Sequence, residues 1–103
     1  GEMVEGSRFL DLFAGTGAVG VEALSRGAAE VTFVESNTGH TERLKRVLRD
    51  FGMEEGAVVV GMDAVSFLRS AQCSYDIIFA DPPYNYGRLE EVLEIIYNRD
   101  ILE

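Results

Sequence analysis

Apolar residues fall along the chain in four short runs, each followed by a longer stretch in which they recur at helical spacing. Arg8–Phe13 (RFLDLF) is a compact apolar run halted by Gly15, and it predicts a buried strand. Small residues open a helix over Ala18–Arg26, and Ser25-Arg26-Gly27 marks its stop. Glu30–Glu35 (EVTFVE), rich in β-branched and aromatic residues, predicts a second strand ending at Ser36-Asn37. From Thr38 to Phe51 the spacing is helical, with Leu44, Val47, Leu48 and Phe51 on one stripe and Gly52 after it. Ala57–Val60 is a third strand between two glycines. Asp63 can then cap a short helix whose Ala64, Phe67, Leu68 and Ala71 face inward. Tyr75–Ala80 (YDIIFA) is a fourth strand, and Leu89, Val92, Leu93 and Ile96 mark a last helix.

Strands alternating with helices imply an α/β fold: a parallel sheet whose crossover helices cover both faces. Its length of 103 residues suits one domain, residues 1–103, and shows no repeat, low-complexity tract or linker. With 47% hydrophobic and 26% charged residues the composition is that of a soluble globular protein. No apolar run approaches the ~20 residues needed to span a bilayer, and the acidic start Gly1–Gly6 lacks the apolar core of a signal peptide. The lone Cys73 cannot form an internal disulfide and fits a reducing cytoplasm. One histidine and one cysteine argue against a metal site. The formal charge of -9 argues against gripping a phosphate backbone through overall charge, but not against a nucleic-acid substrate delivered by another segment.

In parallel sheets of this kind ligands bind at the carboxyl ends of the strands, so the residues that follow each strand are the candidate site. After the first strand come Asp11, Phe13, Ala14, Gly15, Thr16 and Gly17, with Gly20 completing a G-x-G-x-x-G pattern that is weak evidence alone. Glu35 ends the second strand 20 residues beyond Gly15, where a carboxylate can take both hydroxyls of a ribose, and Ser36 follows it. Asp63-Ala64 follows the third strand and Asp81-Pro82-Pro83-Tyr84 the fourth. A tight turn with no ligand is the plain alternative for the glycines. Two features disfavour a dinucleotide: Asp11 is better suited to an amino-acid ammonium than to a pyrophosphate, and the turn carries no Arg or Lys. S-adenosylmethionine, with a ribose, an amino acid, a cationic sulfonium and no phosphate, suits an acidic cup of Asp11, Glu35, Asp63 and Asp81.

Asp81-Pro82-Pro83-Tyr84 points to chemistry on an exocyclic amine. Such a nitrogen is a poor nucleophile because its lone pair is delocalised into the ring. A carboxylate and a backbone carbonyl accepting its two N–H groups would aim the lone pair at a methyl donor. Two prolines fix φ and stiffen the loop, and an aromatic ring beside it offers a stacking face for an extruded base. A rigid turn with an exposed Tyr is the plain reading of the tetrapeptide by itself.

The stretch Asp11–Ala28, with Val34-Glu35, Asp63-Ala64 and Asp81–Tyr84, resembles the bacterial 16S rRNA guanine-N2 methyltransferase family, class I S-adenosylmethionine-dependent enzymes. The resemblance implies the first four strands of a Rossmann-like class I methyltransferase sheet. It also implies that Asp11 and the Phe13–Gly17 loop meet the methionine end and that Glu35 takes the ribose. Asp63 would take the adenine amino group with Ala64 beside the ring, and Asp81, Pro82, Pro83 and Tyr84 the target base in small-subunit rRNA. Adenine-N6 DNA methyltransferases share the tetrapeptide and form the competing enzyme reading. A cofactor-binding module without activity is the non-enzymatic one. Members of the family look longer, with a basic segment before the first strand and more strands after the fourth crossover. On that reading the fourth strand here leaves an open edge that favours self-association. His40 reads as a solvated surface residue and Cys73 as a packing residue. Arg43, Lys45, Arg46 and Arg49 read as a solvated helix face, and Tyr86 as either a second pocket aromatic or a loop cover.

Overall fold

A computed structural model describes residues 3–103; Gly1 and Glu2 of the acidic start lie outside the described residues. The element order is β1 (Arg8–Leu12), α1 (Ala18–Ser25), β2 (Glu30–Val34), α2 (Thr38–Asp50), β3 (Ala57–Val60), α3 (Ala64–Ser70), β4 (Ile77–Ala80) and α4 (Leu89–Asn98). All pairings are parallel, in the order β3-β2-β1-β4, so the order reverses between β1 and β4. That reversal opens a crevice above the carboxyl ends of the central strands. Among the described residues β4 and β3 are the two edges.

Alternation along the strands feeds two cores. Phe9, Val31 and Phe33 face α1 and α2, where Ala23, Leu44 and Leu48 meet them. Leu10, Leu12 and Val34 face the other way, against α3 and α4 through Val65, Leu68, Val92 and Ile95. Both faces of the sheet are therefore apolar and covered over the central strands, as the run-like strands predict, while Val58 on β3 and Phe79 on β4 stay exposed at the edges. Gly20 on α1 packs flat on the sheet: a β-carbon there would sit 2.2 Å from the Phe33 ring. Ring and helix backbone are thus in direct contact.

Several boundaries and faces differ from the sequence expectation. Phe13 leaves β1 with φ +60, because the chain must turn towards α1, and Glu35 likewise lies just beyond β2. On α2 the buried stripe is Thr41, Leu44 and Leu48, while Phe51 lies past the last turn and is 74% exposed. On α4 Val92 and Ile95 are buried and Ile96 packs partly against the same core, while Leu89 and Leu93 face outwards. Tyr75 is not in β4. It makes an isolated parallel bridge to Leu102, donating its N–H to Ile101 and accepting one from Glu103. No helix among the described residues is long and apolar enough to cross a membrane.

Candidate functional site

The loops after β1, β2, β3 and β4 converge on one cavity of about 260 Å³. Phe13 and Gly15 line it from the first loop, Glu35, Ser36 and His40 from the second, Met62, Asp63 and Ala64 from the third, and Asp81, Pro83 and Tyr86 from the fourth. This brings together residues from all four strand ends that the sequence singles out.

Glu35 is the structural hinge of the cup. Its Oε1 accepts the N–H of Gly15 at 2.7 Å and its Oε2 accepts that of Asn37 at 2.9 Å. One carboxylate thus holds the β1 loop and the start of α2, and each oxygen keeps a lone pair for a ligand. Asn37 in turn caps α2 by accepting the N–H of His40 at 2.9 Å. Gly17 tightens the same turn: with φ +82 and Leu44 Cδ1 2.4 Å from any β-carbon, no larger side chain fits unstrained.

Asp11 lies beneath the cup rather than in its wall. It is 1% exposed on the α1 side of the central strand and accepts the N–H of Gly20 at 3.1 Å. Burial pushes its carboxyl up to about 6, opposed by the Gly20 hydrogen bond and assisted by the nearby Glu35 charge. Ala14 donates its N–H to Val34, and Gly17 its own to Ala14, which closes the loop; these two and Thr16 do not line the cavity.

Asp63 caps α3, its Oδ2 accepting the Val65 N–H at 3.0 Å, and Ala64 is buried behind it. The Tyr86 hydroxyl donates to Asp63 Oδ1 at 3.2 Å, and Arg88 approaches Oδ2 at 3.5 Å. Burial, and then the Asp63 charge, raise the Tyr86 phenol. Asp81 is exposed at the cavity mouth, with Pro82 half-buried beside it. Tyr84 is fully exposed and stands outside the cavity.

Three lining residues escape the sequence reading or change in it. His40 is not simply solvated: it lines the cavity, with Nδ1 buried, unpartnered and 3.6 Å from Glu35 Oε2. The N-cap at Asn37 is the signal that could have found it, since capping turns the first helical residues towards the strand ends. Met62 follows from the exit of β3. Tyr86 faces in because the Pro83–Tyr86 turn, closed by the Tyr86 N–H on the Pro83 carbonyl at 2.9 Å, reverses the loop. Cys73 is half-buried, 3.5 Å from the Tyr75 hydroxyl.

The donor set fits S-adenosylmethionine better than a dinucleotide. The lining holds three carboxylates and no Lys or Arg, and the Gly15 N–H that could face a phosphate is already taken by Glu35. The Glu35 lone pairs suit a diol and the acidic wall suits a cation. At about 260 Å³ the cavity lies just under the usual small-molecule range of ~300–1,000 Å³.

Comparison with known proteins agrees with this architecture. "Ribosomal RNA small subunit methyltransferase D" of Escherichia coli (strain K12) is 40% identical over 87 residues, which cover 84% of this chain and 43% of that protein. Its namesake from Haemophilus influenzae is 34% identical over 100 residues, covering 94% and 52%. Among solved structures, the one named "Putative methyltransferase yhhF from Escherichia coli" superimposes with a TM-score of 0.90 at 36% identity, over 97% of this chain and 56% of that one. The chain therefore spans about half the length of the curated relatives it matches. Its four parallel strands and helices form the Rossmann-like arrangement of class I methyltransferases. The model of the family described as "Conserved hypothetical protein 95" matches residues 1–103, and the chain belongs to that family, as the resemblance to the small-subunit rRNA methyltransferases implies.

Proposed function

We propose that this chain is the cofactor- and base-binding core of an S-adenosylmethionine-dependent methyltransferase acting on the exocyclic amine of a nucleobase, guanine N2 in small-subunit rRNA. One observation carries the reading. Asp81 and Pro83, from a loop stiffened by two prolines, line the same cavity as the diol-competent Glu35, so an amine acceptor and a cofactor site share one space. The names of the relatives support ribosomal RNA as the substrate class.

S-adenosylmethionine, when bound, supplies an electrophilic methyl group on a sulfonium. The chain's own residues do the rest. Glu35 would hold the ribose hydroxyls through its free lone pairs, and Asp63 and Ala64 would border the adenine. Asp11, buried below Gly20, would act on the methionine end through the shape of the β1 loop and through its charge. Asp81 and the Pro82 carbonyl would accept the two N–H groups of the base, leaving the nitrogen lone pair towards the methyl donor. Because two prolines restrain the backbone that carries these acceptors, positioning supplies most of the acceleration. Tyr84, fully exposed beside Pro83, would stack on the extruded base.

The test is methyl transfer from labelled S-adenosylmethionine to small-subunit RNA by the full-length protein, with digestion to nucleosides. N2-methylguanosine is expected. N6-methyladenosine on a DNA substrate would favour the competing enzyme, and cofactor binding without transfer to either substrate would reduce the chain to a binding module.

A further inference from the structure

Tyr86, in the fourth loop, touches two other loops of the cup. Its ring meets Phe13 edge-on, with centroids 4.6 Å apart and planes at 77°. Its hydroxyl donates to Asp63 Oδ1 at 3.2 Å, while its backbone N–H closes the turn on Pro83. Phe13 belongs to the loop after β1 and Asp63 to the loop after β3, so a single side chain joins three strand ends. Tyr84, two residues earlier, is fully exposed. Arg88 adds a weaker tie to Asp63 at 3.5 Å but is half-exposed and shared with Glu91.

Resting on the functional reading above, the geometry points to Tyr86 as a positioning residue that clips the Asp81–Tyr84 loop against the cofactor cup. Asp81 and Pro82 have no side-chain tie of their own to the β1 or β3 loops among the described residues: the near end of their loop is fixed where Ala80 of β4 pairs with Leu12, and its far end is held by the turn and side chain of Tyr86. The ring–ring contact sets the distance between the β1 and β4 loops, and the phenol–carboxylate bond sets the angle. The aromatic pair divides the work: Tyr84 stays free to meet a base, and Tyr86 stays bound to the frame. A ligand amine competing for Asp63 Oδ1 would loosen the clip, so filling the cofactor side and shaping the base side are linked through one oxygen.

The experiment uses the full-length protein, with calorimetric affinity for S-adenosylhomocysteine and single-turnover methyl transfer to small-subunit RNA measured side by side. Tyr86→Phe keeps the ring on Phe13 and removes only the hydroxyl. Turnover should fall roughly two- to tenfold, the equivalent of one hydrogen bond, while affinity changes less than about twofold. Tyr86→Ala removes both ties, and turnover should fall roughly tenfold further and by more than affinity does. Equal losses of affinity and turnover in Tyr86→Phe would make Tyr86 a simple pocket wall and overturn the proposal, as would unchanged turnover in both variants. Failure of the unmutated protein to bind S-adenosylhomocysteine would overturn the cofactor reading itself, and this inference with it.

Discussion

Glu35 and Asp81 are both carboxylates at strand ends lining one cavity, yet the structure treats them in opposite ways. Glu35 is largely enclosed and accepts two backbone N–H groups from two loops, so its position is fixed before any ligand arrives. Asp81 is exposed, and two prolines rather than hydrogen bonds restrain its backbone. On the proposed function, the cofactor-binding half of the site is built into the fold and the reacting half is held out from it. An interaction needed only when a base is present can be left unsatisfied in its absence, because water satisfies it at the surface. A carboxylate that shapes the loops has no such freedom.

The largest break in that contrast should come from Asp81→Ala. Turnover should drop by roughly two to three orders of magnitude, as when a preorganised hydrogen-bonding group is removed, with little change in S-adenosylhomocysteine affinity or melting temperature. A parallel loss of affinity would show that the two halves are not separable. Glu35→Ala should do the reverse. Cofactor affinity should weaken by roughly 1.5–3 kcal/mol, and protection of the Gly15 and Asn37 amides from hydrogen exchange should fall with it. Intact protection would mean that Glu35 does not hold the loops.

Asp11 sharpens the contrast by pH. Its folded carboxyl titrates near 6, above the 3.8 of an ordinary Asp, so the native state holds this proton more tightly than the unfolded chain does. The contribution to stability is fully present below about pH 4 and is lost as pH rises through 6. Denaturant titrations from pH 4 to 7 should show up to about 2–3 kcal/mol of decline from this group, against an opposite trend from Glu91, whose carboxyl Arg88 and Arg69 hold low. Asp11→Asn keeps an acceptor for Gly20 and should remove that component; an identical pH profile in the variant would count against the assignment. Tyr84→Phe should have the smallest effect, within about twofold on turnover, whereas Tyr84→Ala should lower it clearly if stacking is the role. Equal behaviour of the two would remove stacking from the account.

The four strand ends were legible because buried parallel strands are short apolar runs, and each run here stops at a polar or glycine-rich loop. So was the capping of α3 by Asp63, which needs only local chemistry. Side-chain direction inside the loops was not. That Tyr86 faces in while Tyr84 faces out depends on a turn closed by a backbone bond, and sequence spacing carries no record of it. His40 shows the same limit: its polar neighbours predict solvent, and its side chain is 44% exposed, yet the Asn37 cap sets its Nδ1 over the Glu35 end of the cavity. Asp11 looked like a ligand-facing acid because strand alternation alone does not say which face the cleft occupies. Phe51 looked like core because its spacing continues past the end of α2, where the helix that would turn it inwards has stopped.

The contact of Gly20 with Phe33 has a consequence for how this fold can vary. The space above the ring is a fixed allotment shared by two positions, since anything added at 20 must come out of 33. A drift from Gly20 to alanine is open only to chains whose position 33 has already shrunk to leucine or valine. In a Phe33 chain alanine at 20 must displace the ring and costs about 1–3 kcal/mol, however the surface changes. The two positions should therefore change in step across lineages, with the smaller residue at 33 arriving first.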